Sequence, residues 1–239
     1  MTQGARPFPR HVAVIMDGNG RWAKQHAVSV AAGHRRGVEA LREIIRYSSD
    51  AGLEVLSLYA FSTENWTRSP AEVAALMRLV VEFFRSEIDE LDAKGVRIRI
   101  LGEKGALRDG AAQACAMAEE RTAGNRGLQL NIALNYGARD ELLRAARMAM
   151  QDMLASGRAP EELAFPDIEG KLYTAGQPDV DLLIRTSGEQ RLSNFLLWQC
   201  AYAELLFVDT LWPDFTADDF RAALEAYSRR DRRFGGRSV

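Results

Sequence analysis

Cysteine is scarce in this chain: Cys115 and Cys200 are the only two among 239 residues. They fit no metal-ligand spacing and no disulfide framework, which suits a reducing cytosol. A surplus of charge is missing too. The 31 basic residues face 33 acidic ones, a net of −2, so no general attraction toward nucleic acid is expected. Long apolar runs are absent. The longest near the N-terminus, Val12 to Met16, is too short for a signal-peptide core or a membrane span. No linker, internal repeat or low-complexity tract interrupts the sequence, and no Walker-type Gly-Lys-Ser/Thr loop is present. What is there, 47% hydrophobic and 27% charged residues, is ordinary for a cytoplasmic globule. A chain of this size buries roughly 70% of its unfolded surface. We expect one catalytic-size domain over 1–239, with an N-terminal extension at 1–10 and a basic tail at 229–239.

Strand-like and helix-like segments alternate. His11 to Met16, Leu53 to Phe61, Val96 to Ile100, Leu128 to Leu134, Asp181 to Arg185 and Glu204 to Val208 read as strands. Apolar residues recur at helical spacing after Val38, over Asp140 to Leu154 and over Thr216 to Tyr227. Ser69, Pro70 and Glu72 announce a further helix as N-cap, first position and capping-box partner, and Gly95 ends it. The pattern predicts an α/β fold with a largely parallel central sheet and helices on both faces.

Polar, glycine-rich stretches follow three of these strands: Asp17 to Trp22, Ser62 to Arg68, and Thr186 to Ser193. Each reads as a loop, and any one could simply reverse the chain. Together they lie where parallel sheets bind ligands, beyond the strand carboxyl ends. Gly18-x-Gly20-x-x-Ala23 matches a relaxed dinucleotide fingerprint, leaving a nicotinamide-dependent oxidoreductase as an alternative. Against it, Asp17 would repel a pyrophosphate unless a cation intervened, and Glu39 falls on a helix rather than at a strand end. Mg²⁺ between Asp17 and an anionic ligand, with Arg21 neutralising further charge, suits these residues better. Arg185, Arg191 and Ser193 form a second anion-seeking set, unless the arginines merely pair with acids. Two such sets suggest two phosphorylated substrates.

The motifs Asp17-Gly-Asn-Gly-Arg-Trp22, Gly33-His34, Tyr59-Ala-Phe-Ser-Thr-Glu-Asn-Trp66, Leu134-Asn-Tyr-Gly137, Asp181-Leu-Leu-Ile-Arg-Thr-Ser-Gly-Glu189 and Arg191-Leu-Ser-Asn-Phe-Leu-Leu-Trp-Gln199 resemble the cis-prenyltransferases, in their bacterial undecaprenyl diphosphate synthase branch. The resemblance runs from His11 to about Gly236. It implies Mg²⁺-dependent addition of isopentenyl diphosphate to an allylic diphosphate, usually farnesyl diphosphate. It also implies a hydrophobic tunnel for the Z-polyprenyl chain, a homodimer, and a cell-wall lipid-carrier product that reaches the membrane without an anchor in the enzyme. The absence of Asp-Asp-x-x-Asp agrees, since trans-type synthases use that motif.

Carried over residue by residue, Asp17 matches the carboxylate that positions Mg²⁺, and Gly18, Asn19, Gly20, Arg21 and His34 match the allylic diphosphate cradle. Ser62, Thr63, Glu64, Asn65, Trp66 and Arg68 match a loop that closes over substrate. Asn65 is the position assigned to proton removal, although an amide is a poor base and could relay or position instead. Trp22, Phe61 and Trp66 match walls for the prenyl chain, and each could equally be core. Glu72 has two candidate duties, capping box and partner of Arg68. Arg185, Arg191, Leu192 and Ser193 match the isopentenyl diphosphate site, and Glu204 a second Mg²⁺ ligand. Arg233-Phe234-Gly235 matches a tail that reaches the partner subunit's diphosphate site. Small Ala60 near the tunnel mouth agrees with a growing chain. The resemblance also leaves room for a shorter-chain enzyme or a non-catalytic subunit. One position departs: Val30 stands where the family places a phosphate-binding arginine. The resemblance therefore implies weaker allylic affinity, unless Lys24, His26 or Arg35 compensates.

Overall fold

The computed structural model describes residues 8–230. β1 (His11–Ile15) is followed by α1 (Asn19–Gln25) and α2 (Val30–Asp50), then by β2 (Val55–Ser62) and α3 (Pro70–Ala93). β3 (Arg97–Leu101), α4 (Ala111–Thr122), β4 (Gln129–Tyr136), α5 (Ala138–Ser156) and the short α6 (Phe165–Glu169) come next. β5 (Leu182–Arg185), β6 (Glu204–Phe207) and α7 (Ala217–Ser228) complete the order. The strands form one sheet in the order β3-β4-β2-β1-β5-β6, and every pairing is parallel. Strands covered on both faces need no polar alternation, which is why β1 and β2 read as continuous apolar runs.

One face packs Val12, Val14, Leu56 and Leu58 against Ile44, Ile45, Met77 and Phe84 of α2 and α3. The other face packs Ala13, Ile15 and Leu183 against Ala138 at the start of α5 and Val180, Phe195 and Leu196 of irregular segments. β1 therefore leaves toward β2 over one face, whereas β5 leaves toward β6 over the other. Between β1 and β5 the sheet has its topological switch point, the crevice where open parallel sheets take ligands.

Two details differ from the sequence reading. Asp17 to Trp22 is not a loop throughout: α1 starts at Asn19, with Gly18 as N-cap at φ +111°. Ser62 to Arg68 is not open loop either, because Thr63–Thr67 winds into one 3-10 turn. At the start of α3 the Ser69 hydroxyl does accept from Glu72 N. The Glu72 carboxylate, however, accepts from Arg68 Nη1 at 2.8 Å instead of returning to the cap. Of its two candidate duties, the structure shows the second.

A buried polar chain crosses three strands. His11 Nδ1 donates to Pro178 O at 2.8 Å, since a carbonyl only accepts, and His11 Nε2 accepts from Ser57 Oγ at 2.7 Å. Ser57 Oγ in turn accepts from Asn131 Nδ2 at 2.9 Å. Burial pushes the His11 imidazole down from 6.5 to about 4, with the Pro178 contact opposing. The folded protein thus keeps His11 neutral at pH values where the unfolded chain protonates it. Stability should fall as pH drops from 6.5 toward about 4, by about 3 kcal/mol over the window. Urea unfolding across that range is the check. His11→Gln should flatten the slope, and an unchanged slope would remove His11 as its source.

Candidate functional site

Asp17 and Arg185 meet at the switch point. β1 and β5 pair with Ile15 opposite Arg185, so the two residues after Ile15 carry Asp17 over the end of β5. Arg185 Nη2 donates to Asp17 Oδ2 at 2.8 Å, and Arg185 Nη1 donates to Arg191 O at 2.6 Å and to Ser193 Oγ at 2.7 Å. One guanidinium thus joins the two sets that the sequence suggested separately. Burial would raise the Asp17 carboxyl. The Arg185 hydrogen bond and charge, the Arg21 charge and the Gly18 N–H outweigh it and hold the group below the usual carboxylate range. The backbone of Asp17 is fixed as well. Asp17 N donates to Thr186 Oγ1 at 2.9 Å, and the Thr186 hydroxyl donates to Asp17 O at 2.7 Å.

Arg21 Nη1 donates to Ser187 O at 2.9 Å and lies 3.4 Å from Glu189, whose carboxylate also pairs with Arg191. Asn65 Oδ1 accepts from Ser62 N at 3.1 Å, which orients its amide at the end of β2. Glu64 Oε1 accepts from Asn194 Nδ2 at 3.1 Å, tying this turn to the segment that carries Ser193. His34 sits 3.7 Å from Glu72. Burial and the Arg68 charge lower its pKa, with Glu72 opposing.

Many of these groups line the mouth of a 650 Å³ cavity, with Arg21 beside the lining, 3.7 Å from Asp17. Asp17, Asn65, Arg68, Arg185, Arg191 and Ser193 line the mouth, together with Asn19, His34, Ser62 and Glu64. The interior is apolar. Ala60, Phe61, Ile132 and Leu134 form its sheet side, and Val38, Leu41, Leu76, Val80, Phe83 and Phe84 its helix side. Asn19 Oδ1, His34 Nε2 and Arg185 Nε are buried around this mouth with no hydrogen-bond partner among the described residues. Gly33 and Gly37 let α1 lie against α2: a Cβ on Gly37 would come within 2.3 Å of Asn19 Oδ1, and one on Gly33 within 2.5 Å of Asn19 O. A polar mouth over an apolar chamber fits a ligand with an anionic head and a hydrocarbon tail.

Comparison with known proteins agrees. The family described as putative undecaprenyl diphosphate synthase matches residues 15–235. The chain belongs to this cis-prenyltransferase family. The isoprenyl transferase of Geobacillus kaustophilus is 52% identical over 233 residues, covering 98% of this chain and 91% of the relative. That of Agrobacterium fabrum is 52% identical over 229 residues, covering 95% and 92%. Among solved structures, lavandulyl diphosphate synthase from Lavandula x intermedia, in complex with dimethylallyl diphosphate, superposes with a TM-score of 0.92 at 37% identity, covering 95% of this chain and 98% of that one. A probable undecaprenyl diphosphate synthase from Campylobacter jejuni gives 0.78 at 32% identity, covering 96% and 99%. The protein is a prenyl-transferring enzyme that condenses isopentenyl diphosphate with an allylic diphosphate, and the oxidoreductase alternative falls.

Not every residue suggested by the cis-prenyltransferase motifs reaches the cavity. Trp22 turns outward on α1, where its indole N–H donates to Asp214 at 2.8 Å and its ring stacks on His26 at 4.0 Å, so it is no cavity wall. Trp66 packs edge-on against Phe61 at 5.1 Å and donates to Asn135 Oδ1 at 2.7 Å, behind the lining. Gly18, Gly20 and Thr63 shape the backbone beside the mouth, and Leu192 packs on the second core. Glu204 lies farther off. It starts β6 opposite Leu182, three residues short of the Arg185 row, or about 10 Å down the sheet, and it pairs with Arg230 at 2.7 Å. Within this chain it therefore stands apart from Asp17. Val30 is the exposed first residue of α2, and neither it nor Lys24, His26 or Arg35 lines the cavity. Residues 231–239, with Arg233-Phe234-Gly235, and residues 1–7 lie outside the described residues. The motifs contain Thr186, Glu189 and Asn194 but assign them no role, because their roles are contacts between distant loops.

No group of three acidic, His or Cys side chains suited to a metal exists among the described residues. Asp17 alone still fits Mg²⁺, which commonly takes one or two carboxylates and completes its shell with substrate phosphates and water. Its carboxyl is ionised, faces the cavity mouth and keeps its place through Arg185 and Thr186.

Arg185 makes three side-chain contacts in one planar fork, which an ammonium cannot reproduce. Arg185→Lys should therefore lower kcat/KM by on the order of a hundredfold, the scale for losing one or two charge-assisted hydrogen bonds of the fork. Steady-state kinetics with both diphosphates measure this, and near-normal kinetics would refute the bridging role.

Proposed function

We propose that the chain elongates farnesyl diphosphate by repeated Z additions of isopentenyl diphosphate to a long polyprenyl diphosphate. The product is of the undecaprenyl class, the lipid-carrier precursor for cell-wall synthesis. The observation that carries this reading is the Asp17–Arg185–Ser193 junction at the mouth of an apolar chamber. In this reading Asn19, Arg21 and His34 hold the allylic diphosphate. Arg185, Arg191 and Ser193 hold that of the isopentenyl unit, so the two reacting carbons meet at the chamber entrance. Mg²⁺ on Asp17 would draw charge off the departing diphosphate. The arginines stabilise the same developing charge, and stabilisation that grows toward the transition state raises kcat. Asn65 orients the isopentenyl unit rather than acting as its base, since its Oδ1 already accepts from Ser62 N.

Residues 1–239 act in this proposal as one catalytic unit that pairs as a homodimer. Leu154, Phe165 and Tyr202 are 79%, 73% and 70% exposed, large side chains of the kind that pairing would cover. No helix among the described residues is long and apolar enough to cross a membrane, so the product would be handed over at the bilayer. A shorter-chain product is the second reading, favoured by the likeness to the lavandulyl diphosphate synthase.

Incubation with farnesyl diphosphate, labelled isopentenyl diphosphate and Mg²⁺, followed by chain-length analysis, separates the two. Long Z-polyprenyl diphosphates made by the purified chain alone are expected. Termination after one or two additions would favour the shorter product, and no turnover would favour a non-catalytic subunit.

A further inference from the structure

Helices α2 and α3 run side by side in the same direction, and their contacts show it. Arg42 reaches Ser86, Arg46 reaches Glu90 and Asp50 reaches Lys94, each pair separated by 44 residues. Arg46 holds Glu90 through two bonds of 2.7 Å, Lys94 holds Asp50 at 2.7 Å, and Arg42 Nε lies 2.9 Å from Glu87. This ladder begins at Arg42, the residue after Leu41 on α2, and at Ser86, two residues after Phe84 on α3, just past the last cavity-lining residues of each helix. It therefore pins the helices together below the chamber. Above it the seam is different. There Val38 and Leu41 of α2, and Leu79 and Val80 of α3, are half-buried apolar side chains that also line the cavity. Apart from His34–Glu72 at the mouth, no ion pair among the described residues joins α2 to α3 above the first rung.

The chamber is also too small for a long product. An apolar cavity of about 150 Å³ accepts benzene, so roughly 25 Å³ serves each carbon. At that rate 650 Å³ holds about 26 carbons, roughly five isoprene units, and an undecaprenyl chain is about twice as large.

We infer that the tail of a product longer than the chamber leaves sideways through the α2–α3 seam, between Val38–Leu41 and Leu79–Val80, above the ion-pair ladder. The seam is then a hydrocarbon-binding subsite, and the ladder stops the helices from parting along their whole length. This rests on the long-chain reading. The tail gains cover from four apolar side chains on its way out, whereas a path through the floor would have to displace the packed Ile44 and Ile45 of α2 and Ile88 and Leu91 of α3.

A polarity-sensitive fluorophore tests the route. Glu82 is exposed on α3 beside the seam, Asp50 is exposed on the ladder, and the native Cys115 and Cys200 are buried. Glu82→Cys and Asp50→Cys can therefore be labelled selectively, and neither residue belongs to the diphosphate sites. During synthesis the Glu82→Cys label should shift to the blue only when chains exceed roughly five units. Farnesyl diphosphate alone should leave it unchanged, and the Asp50→Cys label should stay water-like throughout. Long chains that accumulate without a shift at position 82, or with a shift at position 50, would overturn the seam route while leaving the long-chain reading intact. Products that never pass about five units would overturn both, and chain-length analysis of the same samples separates the two failures.

Discussion

Arg185 places a guanidinium where only 3% of the residue meets solvent, and Asp17 Oδ2 at 2.8 Å neutralises it. Removing either partner would strand a charge in a poorly solvated place, the costly way to break such a pair. The parallel register of β1 and β5 brings these two residues together, and the switch point opens the crevice around them. The other groups at the mouth are arranged about this contact. Thr186 grips the Asp17 backbone, Ser193 and Arg191 O share the other arm of the guanidinium, and Arg21 adds charge from α1.

The neighbouring segments carry this order outward. Asn194 links the Ser193 segment to Glu64, and through it to the turn that holds Asn65. Ser193, Asn194 and Leu196 adopt φ values of +47°, +61° and +44°, a left-handed conformation that non-glycine residues seldom take so close together. Tyr59 supports it from below, stacking on Phe195 at 4.4 Å and donating to Ser193 O at 3.3 Å. The site thus stores backbone strain in the segment that presents Ser193 to Arg185. Below the mouth, α2 and α3 supply an apolar wall on one side of the chamber, and that wall turns a diphosphate site into a prenyl site.

Much of this was legible in the sequence. Short apolar runs marked β1, β2 and β5, and Ser69-Pro70 marked the start of α3 within a residue. Asp17, Asn65 and Arg185 stood out because polar residues after apolar strands have few structural reasons to be there. What was illegible depended on direction and distance. Asn19-Gly20 has turn composition, yet Gly18 at φ +111° lets α1 begin at once, and that helix carries Trp22 away from the cavity. α4 lacked periodic contrast because small Ala111, Ala114, Cys115 and Ala118 make its buried face. Glu204 matched a motif, but a parallel strand that starts with Glu204 points its other end at the site. Thr186 lies inside a motif that assigns it no role, since its role lies in two bonds to a residue 169 positions away.

The central claim is that one carboxylate, oriented by Arg185, holds a divalent cation only together with a diphosphate. Calorimetric titration of Mg²⁺ into the protein, with and without a non-reactive farnesyl thiodiphosphate, tests it most directly. The account predicts negligible Mg²⁺ binding by the protein alone. It predicts clear one-to-one binding once the analogue is present, and loss of that binding in Asp17→Asn. Tight Mg²⁺ binding without the diphosphate, or binding that survives Asp17→Asn, would contradict it.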